Sequence, residues 1–232
     1  MMPSYRSFVS PVFTLLLLLA GSGYQSSALA TPVFINEIHY DNSGADQAEG
    51  FEIAGPADTD LNGWQLVLYN GSNGAPYSLL PLTGMIPDLA AGFGVLSFPS
   101  SAIQNGAPDG VALVDHTDQV RQFLSYEGAF TATTGVAAGL TSLDIGVLES
   151  PDAAVATSLQ LFGSGYAYED FQWRSGINQS FGQINAGQTL TGEQQGGAAI
   201  PVPSTALLCL FLGCLLAPGI RNKENNARIG CR

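Results

Sequence analysis

Five acidic residues, Glu37, Asp41, Asp46, Glu49 and Glu52, crowd one short stretch of this chain. Carboxylates that dense can bind a hard cation, form an acid–base pair, or accept hydrogen bonds from backbone amides. Calcium takes about six to eight oxygens, many from loop carboxylates and carbonyls. The run Asp41-Asn42-Ser43-Gly44-Ala45-Asp46 offers several, but it departs from the EF-hand pattern of alternating oxygen donors closed by a glutamate. The simpler reading is a solvated acidic loop in which Glu37 or Glu52 bonds turn amides, and no metal site is assigned. Asp109, Asp115 and Asp118 flank a predicted hairpin, and two carboxylates on one rim would suit glycoside hydrolysis. A sandwich loop more often makes a binding surface than a hydrolase cleft. His39 and His116 lack metal-ligand spacing and are read as structural or solvent-facing. Neither a Gly-x-Ser-x-Gly elbow nor a phosphate-cradling glycine loop occurs. No catalytic residue and no cofactor is therefore assigned.

Charge narrows the partners. Eighteen of the chain's nineteen acids but only two of its seven basic residues, Arg121 and Arg174, lie between residues 31 and 200, leaving that span at −16. Nucleic-acid binding relies on lysine and arginine to neutralise phosphates, so the isolated body is not expected to bind DNA or RNA. Cys209, Cys214 and Cys231 all follow residue 200. The body between the ends has no disulfide or cysteine-type zinc site and must be held by packing.

The elements that would carry these residues are strands. Turn-forming Gly, Asn, Asp, Ser and Pro recur between short runs rich in Val, Ile, Leu, Phe and Tyr. Strands are predicted over 33–39, 50–54, 63–69, 93–98, 110–115, 119–127, 157–162 and 166–173. In the third, Trp64, Leu66 and Leu68 face one way and Gln65, Val67 and Tyr69 the other. Asn70-Gly71, Asn73-Gly74, Asn105-Gly106 and Asp109-Gly110 read as turns favouring positive φ. The segment 131–156 reads as a surface loop or crossover. Seven or eight such strands predict an all-β, two-sheet sandwich.

Both ends of the chain are apolar. The run 12–20 (VFTLLLLLA) is too short for an ordinary membrane span, and Ala28 and Ala30 suit the −3 and −1 positions of a signal peptidase site, so residues 1–30 are expected to be removed and Thr31 to become the first residue. The sandwich is assigned to 31–190 and a flexible linker to 191–199. A C-terminal segment, 200–232, contains the apolar run 206–217 followed by Arg221, Lys223, Arg228 and Arg232. Such a basic end favours the cytoplasmic side of a membrane.

Pro201-Val202-Pro203-Ser204-Thr205, an apolar helix and a basic end together resemble the bacterial PEP-CTERM sorting tail, with Val202 where the family carries glutamate. The resemblance implies a transmembrane sorting helix, recognition at Pro201, Pro203, Ser204 and Thr205, and processing by an exosortase-like enzyme in a Gram-negative envelope. A second resemblance covers the body. Ile35-Asn36-Glu37-Ile38, Glu49-Gly50-Phe51-Glu52-Ile53 and Leu61-Asn62-Gly63-Trp64-Gln65-Leu66 are similar to the opening of the lamin-tail domain. Ser158-Leu159-Gln160-Leu161, Trp173 and Phe181-Gly182-Gln183-Ile184-Asn185 look like its close. This implies an immunoglobulin-like β-sandwich with Trp64 and Trp173 as core aromatics.

The resulting expectation is an exported, non-catalytic interaction module of the cell envelope, cell surface or extracellular matrix, at least transiently membrane-anchored. Its partners would be signal peptidase, an exosortase-like enzyme, the membrane, and a polysaccharide or envelope protein. The alternatives are a secreted hydrolase using loop carboxylates and a purely structural matrix protein.

Overall fold

A computed structural model of the chain describes residues 32–101 and 103–191. The predicted signal cleavage residues Ala28, Ala30 and Thr31, the sorting residues Pro201, Pro203, Ser204 and Thr205, and the linker beyond Thr191 lie outside the described residues. Among the described residues no helix is long and apolar enough to cross a membrane.

Two sheets form a β-sandwich. The first contains β1 (Phe34–His39), β2 (Gly50–Pro56), β5 (Phe93–Pro99), β9 (Thr157–Gly165) and β10 (Phe171–Asn178) in the order β10-β9-β1-β2-β5, with β11 (Gln188–Leu190) parallel to β9. The second contains β3 (Gln65–Asn70), β4 (Ala75–Pro81), β6 (Asp109–Val114), β7 (Val120–Tyr126) and β8 (Leu143–Asp144) in the order β4-β3-β6-β7-β8. Ile35, Ile38, Phe51, Ile53 and Leu159 of the first sheet meet Leu66, Leu68, Val111, Leu113 and Leu124 of the second in one buried cluster. Removing that apolar surface from water is the main drive for sheet-on-sheet packing. Trp64 belongs to this cluster and Trp173 packs against it.

Eight predicted strands correspond to observed ones. The last is shorter at its start, because Tyr168–Asp170 forms a single 3-10 turn before β10. The strand β4 was not predicted. Pro76 and Pro81 argue against a strand because proline donates no ladder bond, yet β4 pairs only with β3 and forms the sheet edge, where that donor is dispensable. The short β8 and β11 also lack a pattern of their own; each is defined by its parallel neighbour.

The segment 131–156 corrects the surface-loop half of its reading. It does cross from β7 to β9, but it also covers the outer face of the second sheet. Val67 and Tyr69, opposite Leu66 and Leu68, are buried under Phe130, Ala132 and Ala137. The Tyr69 hydroxyl accepts the Ala137 amide at 3.0 Å. Small residues suit this close cover, and a Thr131–Thr141 bridge closes it on itself.

The turn chemistry needs a correction as well. Of the four predicted turn glycines, only Gly74 has positive φ, at 68°. Gly71 is required by close approach: a Cβ there would lie 2.1 Å from the Pro108 carbonyl oxygen.

Candidate functional site

The loops joining β1 to β2, β3 to β4 and β5 to β6, with the start of the crossover after β7, gather at one end of the sandwich. Each strand pattern ends there in short polar residues, and one carboxylate knits two of the loops together. Asp109 Oδ1 accepts the Gly71 amide and its Oδ2 accepts the Gly106 amide, both at 3.0 Å. Burial pushes Asp109 above its ordinary 3.8 despite those two donors. Above it, Asn70 Nδ2 donates to Gln104 Oε1 at 2.8 Å, and Asn70 Oδ1 accepts from Ser72. These amide, hydroxyl and carboxylate groups line a cleft of about 360 Å³ with the exposed Asn105 on its wall. Asn105 also lines a second cleft, of about 480 Å³, together with Asp41, Asn42, Asp46 and Glu127. The two clefts adjoin, one rich in amides and the other acidic, and neither contains a lysine or arginine.

The floor beneath is aromatic and hydrogen-bonded. Tyr40 and Tyr126 stack with ring centroids 3.9 Å apart and planes 14° apart. The Tyr40 hydroxyl accepts the Glu149 amide and donates to Glu127, each at 2.9 Å. The Tyr126 hydroxyl donates to the Gln104 carbonyl, and Tyr77 accepts the Gln104 amide. Burial pushes Tyr77 up to about 12 and raises Tyr40 and Tyr126 too, so these hydroxyls stay neutral. Tyr69 and Tyr126 are buried and Tyr77, Tyr166 and Tyr168 partly so. They fill the fold.

His39 is structural. Its Nδ1 lies 2.8 Å from Glu149 Oε1 and its Nε2 lies 3.0 Å from the Gln47 carbonyl. Both partners are acceptors, so the doubly protonated ring satisfies both. Burial opposes that charge, but the Glu149 carboxylate, the Gln47 carbonyl and Asn42 outweigh it, and the His39 pKa is raised above 6.5. Glu149 Oε2 accepts the Tyr40 and Asp41 amides, at 2.6 and 2.9 Å. One ion pair thus pins the crossover and the 42–47 loop to β1. His116 is exposed in the β6–β7 turn.

The five acids of the opening stretch separate into different environments. Asp41 is buried, Asp46 is exposed on the acidic cleft, and Glu37, Glu49 and Glu52 are buried, which corrects the expectation of a solvated loop. The 42–47 loop closes around the Asn42 amide, whose Nδ2 donates to the Ser43 and Ala45 carbonyls and whose Oδ1 accepts the Gln47 amide. Among the described residues no group of three or more His, Cys, Asp or Glu is arranged to hold a metal ion. Burial, with Asp46 adding, pushes Glu49 up to about 7. Glu37 and Glu52 do bond turn amides, as read from sequence: Ser180 N–H donates to Glu37 at 2.9 Å and Gly182 N–H to Glu52 at 2.6 Å.

Asp109 does not share a rim with Asp115 and Asp118. Asp109 opens the strand at the cleft end, whereas Asp115 and Asp118 follow its other end. At roughly 3.3 Å per residue the strand separates them by close to 20 Å, too far for a joint acid–base role. Asp115 serves its own turn, accepting from the amides of Thr117 and Gln119, the Thr117 hydroxyl and Arg121 Nε.

Gln104, Asn105 and Ser72 were missed as candidate ligand contacts. The Asn70-Gly71-Ser72 and Asn105-Gly106 turns marked their positions but not their convergence. A third cleft, of about 540 Å³, lies between residues 146–154 and Ser175-Gly176; its one charged side chain, Glu149, is committed to His39. No protein-family model, curated protein or solved structure matches this chain.

Proposed function

We propose that this chain is an exported, non-catalytic binding module of a bacterial envelope or matrix, and that its ligand is a polyhydroxylated chain such as a polysaccharide. The observation that carries this reading is the pair of adjoining clefts on a two-sheet scaffold, the first lined by Asn70, Ser72, Gln104, Asn105 and Asp109. Amides, a hydroxyl and a carboxylate offer donors and acceptors side by side, which is what vicinal sugar hydroxyls need. The lack of lysine and arginine in the two clefts and the −16 charge of the span 31–200 disfavour anionic polymers and favour neutral or amine-bearing ones. Asp109, Tyr40, Tyr77 and Tyr126 beneath the clefts are already engaged in hydrogen bonds, and this supports binding over turnover.

The finer fold reading, an immunoglobulin-like sandwich of lamin-tail type, rests on the opening segments Ile35-Asn36-Glu37-Ile38, Glu49-Gly50-Phe51-Glu52-Ile53 and Leu61-Asn62-Gly63-Trp64-Gln65-Leu66 and on the closing Ser158-Leu159-Gln160-Leu161, Trp173 and Phe181-Gly182-Gln183-Ile184-Asn185. Export rests on the apolar run 12–20 with Ala28 and Ala30, and sorting rests on Pro201, Pro203 and the basic end. Signal peptidase, an exosortase-like enzyme and the membrane are the partners these segments imply.

Binding of the full-length protein, in mild detergent, to an array of neutral, amino and acidic glycans tests the ligand assignment. Retention of neutral or amino glycans, weakened at least about tenfold by Asn105→Ala with Ser72→Ala, is the expected outcome. Both side chains are exposed, so the pair leaves folding intact. Unchanged binding in the double variant would remove the cleft from the proposal. Turnover of a polysaccharide abolished by Asp109→Asn would replace it with the hydrolase reading.

A further inference from the structure

The segment 179–187, which leads from β10 to β11, is held to the outer face of the first sheet by two carboxylates, by the buried Asn185, whose Nδ2 donates to the Asn36 and Leu161 carbonyls, and at its ends by Gln179 and by Arg174. A bulge in β1 between Ile35 and Glu37 places Asn36 and Glu37 together beside Glu52 of β2. Glu52 Oε2 accepts the Gly182 amide at 2.6 Å, and its Oε1 accepts Asn36 Nδ2 at 2.9 Å. Glu37 Oε1 accepts the Ser180 amide at 2.9 Å, Ser158 Oγ at 2.6 Å and Gln160 Nε2 at 3.3 Å. Both glutamates have 0% exposure.

The groups facing this pair are neutral. They are Asn36 on β1, Ser158 and Gln160 on β9, Ser97 opposite Glu52 on β5, and Ser180 and Gly182 in the segment itself. The charged groups on the same elements bond neither carboxylate. His39, further along β1, pairs with Glu149, while Arg174 of β10 donates to the Ala186 carbonyl at the far end of the segment. Two carboxylates without a cation cannot both ionise cheaply when buried side by side.

We propose that residues 179–187 form a proton-dependent latch, closed while the Glu37–Glu52 pair holds one proton and loosened when that proton passes to solvent. Burial, with the neighbouring Glu37 carboxylate adding, pushes Glu52 up to about 8 from its ordinary 4.5. The folded pKa lies above the unfolded one, so the closed state binds the extra proton and its advantage falls as pH rises between those two values. The surroundings can accommodate the proton. Asn36 and Gln188 form a reciprocal amide pair, Gln188 Nε2 to Asn36 Oδ1 at 2.6 Å and Asn36 Nδ2 to Gln188 Oε1 at 3.2 Å. Turning both amides over keeps their mutual bonds and presents Asn36 Oδ1 to a protonated Glu52. The latch does not rest on the glycan reading: none of its residues lines either cleft, and its one bond toward them is Gln179 Nε2 to the Ala48 carbonyl in the β1–β2 loop. It governs how firmly β11 is seated, because the Gly187 carbonyl that accepts the Gly163 amide closes the same segment.

Amide hydrogen exchange of Gly182 and Ser180 in the full-length protein in detergent, corrected for intrinsic pH dependence, tests the latch. Between about pH 5.5 and about pH 8.5 their opening constant should rise at least about tenfold in the wild type and less than about twofold in Glu52→Gln, which has no proton to lose. Glu49→Gln, outside the pair, should follow the wild type. Equal opening at the two pH values, or a Glu52→Gln response like the wild type's, overturns the proposal. The wild type alone gives a second readout: a Glu52 carboxyl resonance titrating near its ordinary 4.5 also overturns it, and one titrating near 8 supports it.

Discussion

Two carboxylates, each almost fully buried, are shifted in opposite directions. Asp115 closes the β6–β7 turn and Glu52 lies under the 179–187 segment. For both, burial alone would raise the pKa. At Asp115 the hydroxyl and amide of Thr117, the Gln119 amide and the Arg121 guanidinium more than reverse that, and the group sits well below the usual carboxylate range. At Glu52 there are two donors and no cation, a second carboxylate stands beside it, and burial prevails. Low exposure alone does not decide whether an acid is ionised; how deeply it is enclosed, the number of donors and the sign of the nearest charge do. The two regions should therefore respond oppositely to pH.

The largest effect that would sharpen this contrast is expected from Glu37→Ala. It removes the acceptor of the Ser180 amide and the Ser158 hydroxyl inside the first sheet, at a cost of about 2–4 kcal/mol. Thermal melting reads this, and a loss below about 1 kcal/mol would mean that the 179–187 segment is not held by its carboxylates. Asp115→Ala should cost about 1–2 kcal/mol, as for loss of a capping side chain. It should also flatten the acid limb of stability, because the Asp115 contribution is present above its unfolded 3.8 and is lost as pH falls through its lowered folded pKa. Acid unfolding of the variant parallel to that of the wild type would break the contrast.

A smaller change is expected at higher pH. Glu49, Glu52 and Asp109 are all raised, so their protonated forms favour the folded state. His39 is also raised, and its contribution is present below about 6.5 and lost as pH climbs through its folded value. The melting temperature should therefore fall from about pH 5 to about pH 8, and Glu49→Gln should make that fall shallower. A melting temperature rising across this window would contradict the assignment of Glu49, Glu52 and His39, whose titrations fall within it. The smallest effect is expected from Arg121→Ala. Its side chain is 51% exposed, so the ion pair should contribute under about 1 kcal/mol, and high salt should mask most of the change.

Much of the scaffold was legible because strand alternation is local. Trp64, Leu66 and Leu68 point into the main core as their spacing says, and Val67 and Tyr69 point the other way. What alternation does not reveal is whether the second face meets water, and here the crossover covers it. Edge strand β4 was hidden by prolines whose cost vanishes at a sheet edge. The cleft was half legible: its turns were marked by Asn-Gly pairs, but Asn70 and Gln104 come together only because β3 and β6 are neighbours and β6 follows the 100–108 loop.

Residue order by itself settles the all-strand character of the body, the crowding of negative charge into residues 31–200 and the apolar ends. Each is a property of composition or of near neighbours along the chain. Tertiary structure alone decides which acids are buried, that His39 meets Glu149 from 110 positions away, and that Glu37 and Glu52 lie side by side without a cation. The reason is that a carboxylate's state depends on the groups within a few ångströms of it, and those groups come from strands far apart in the chain.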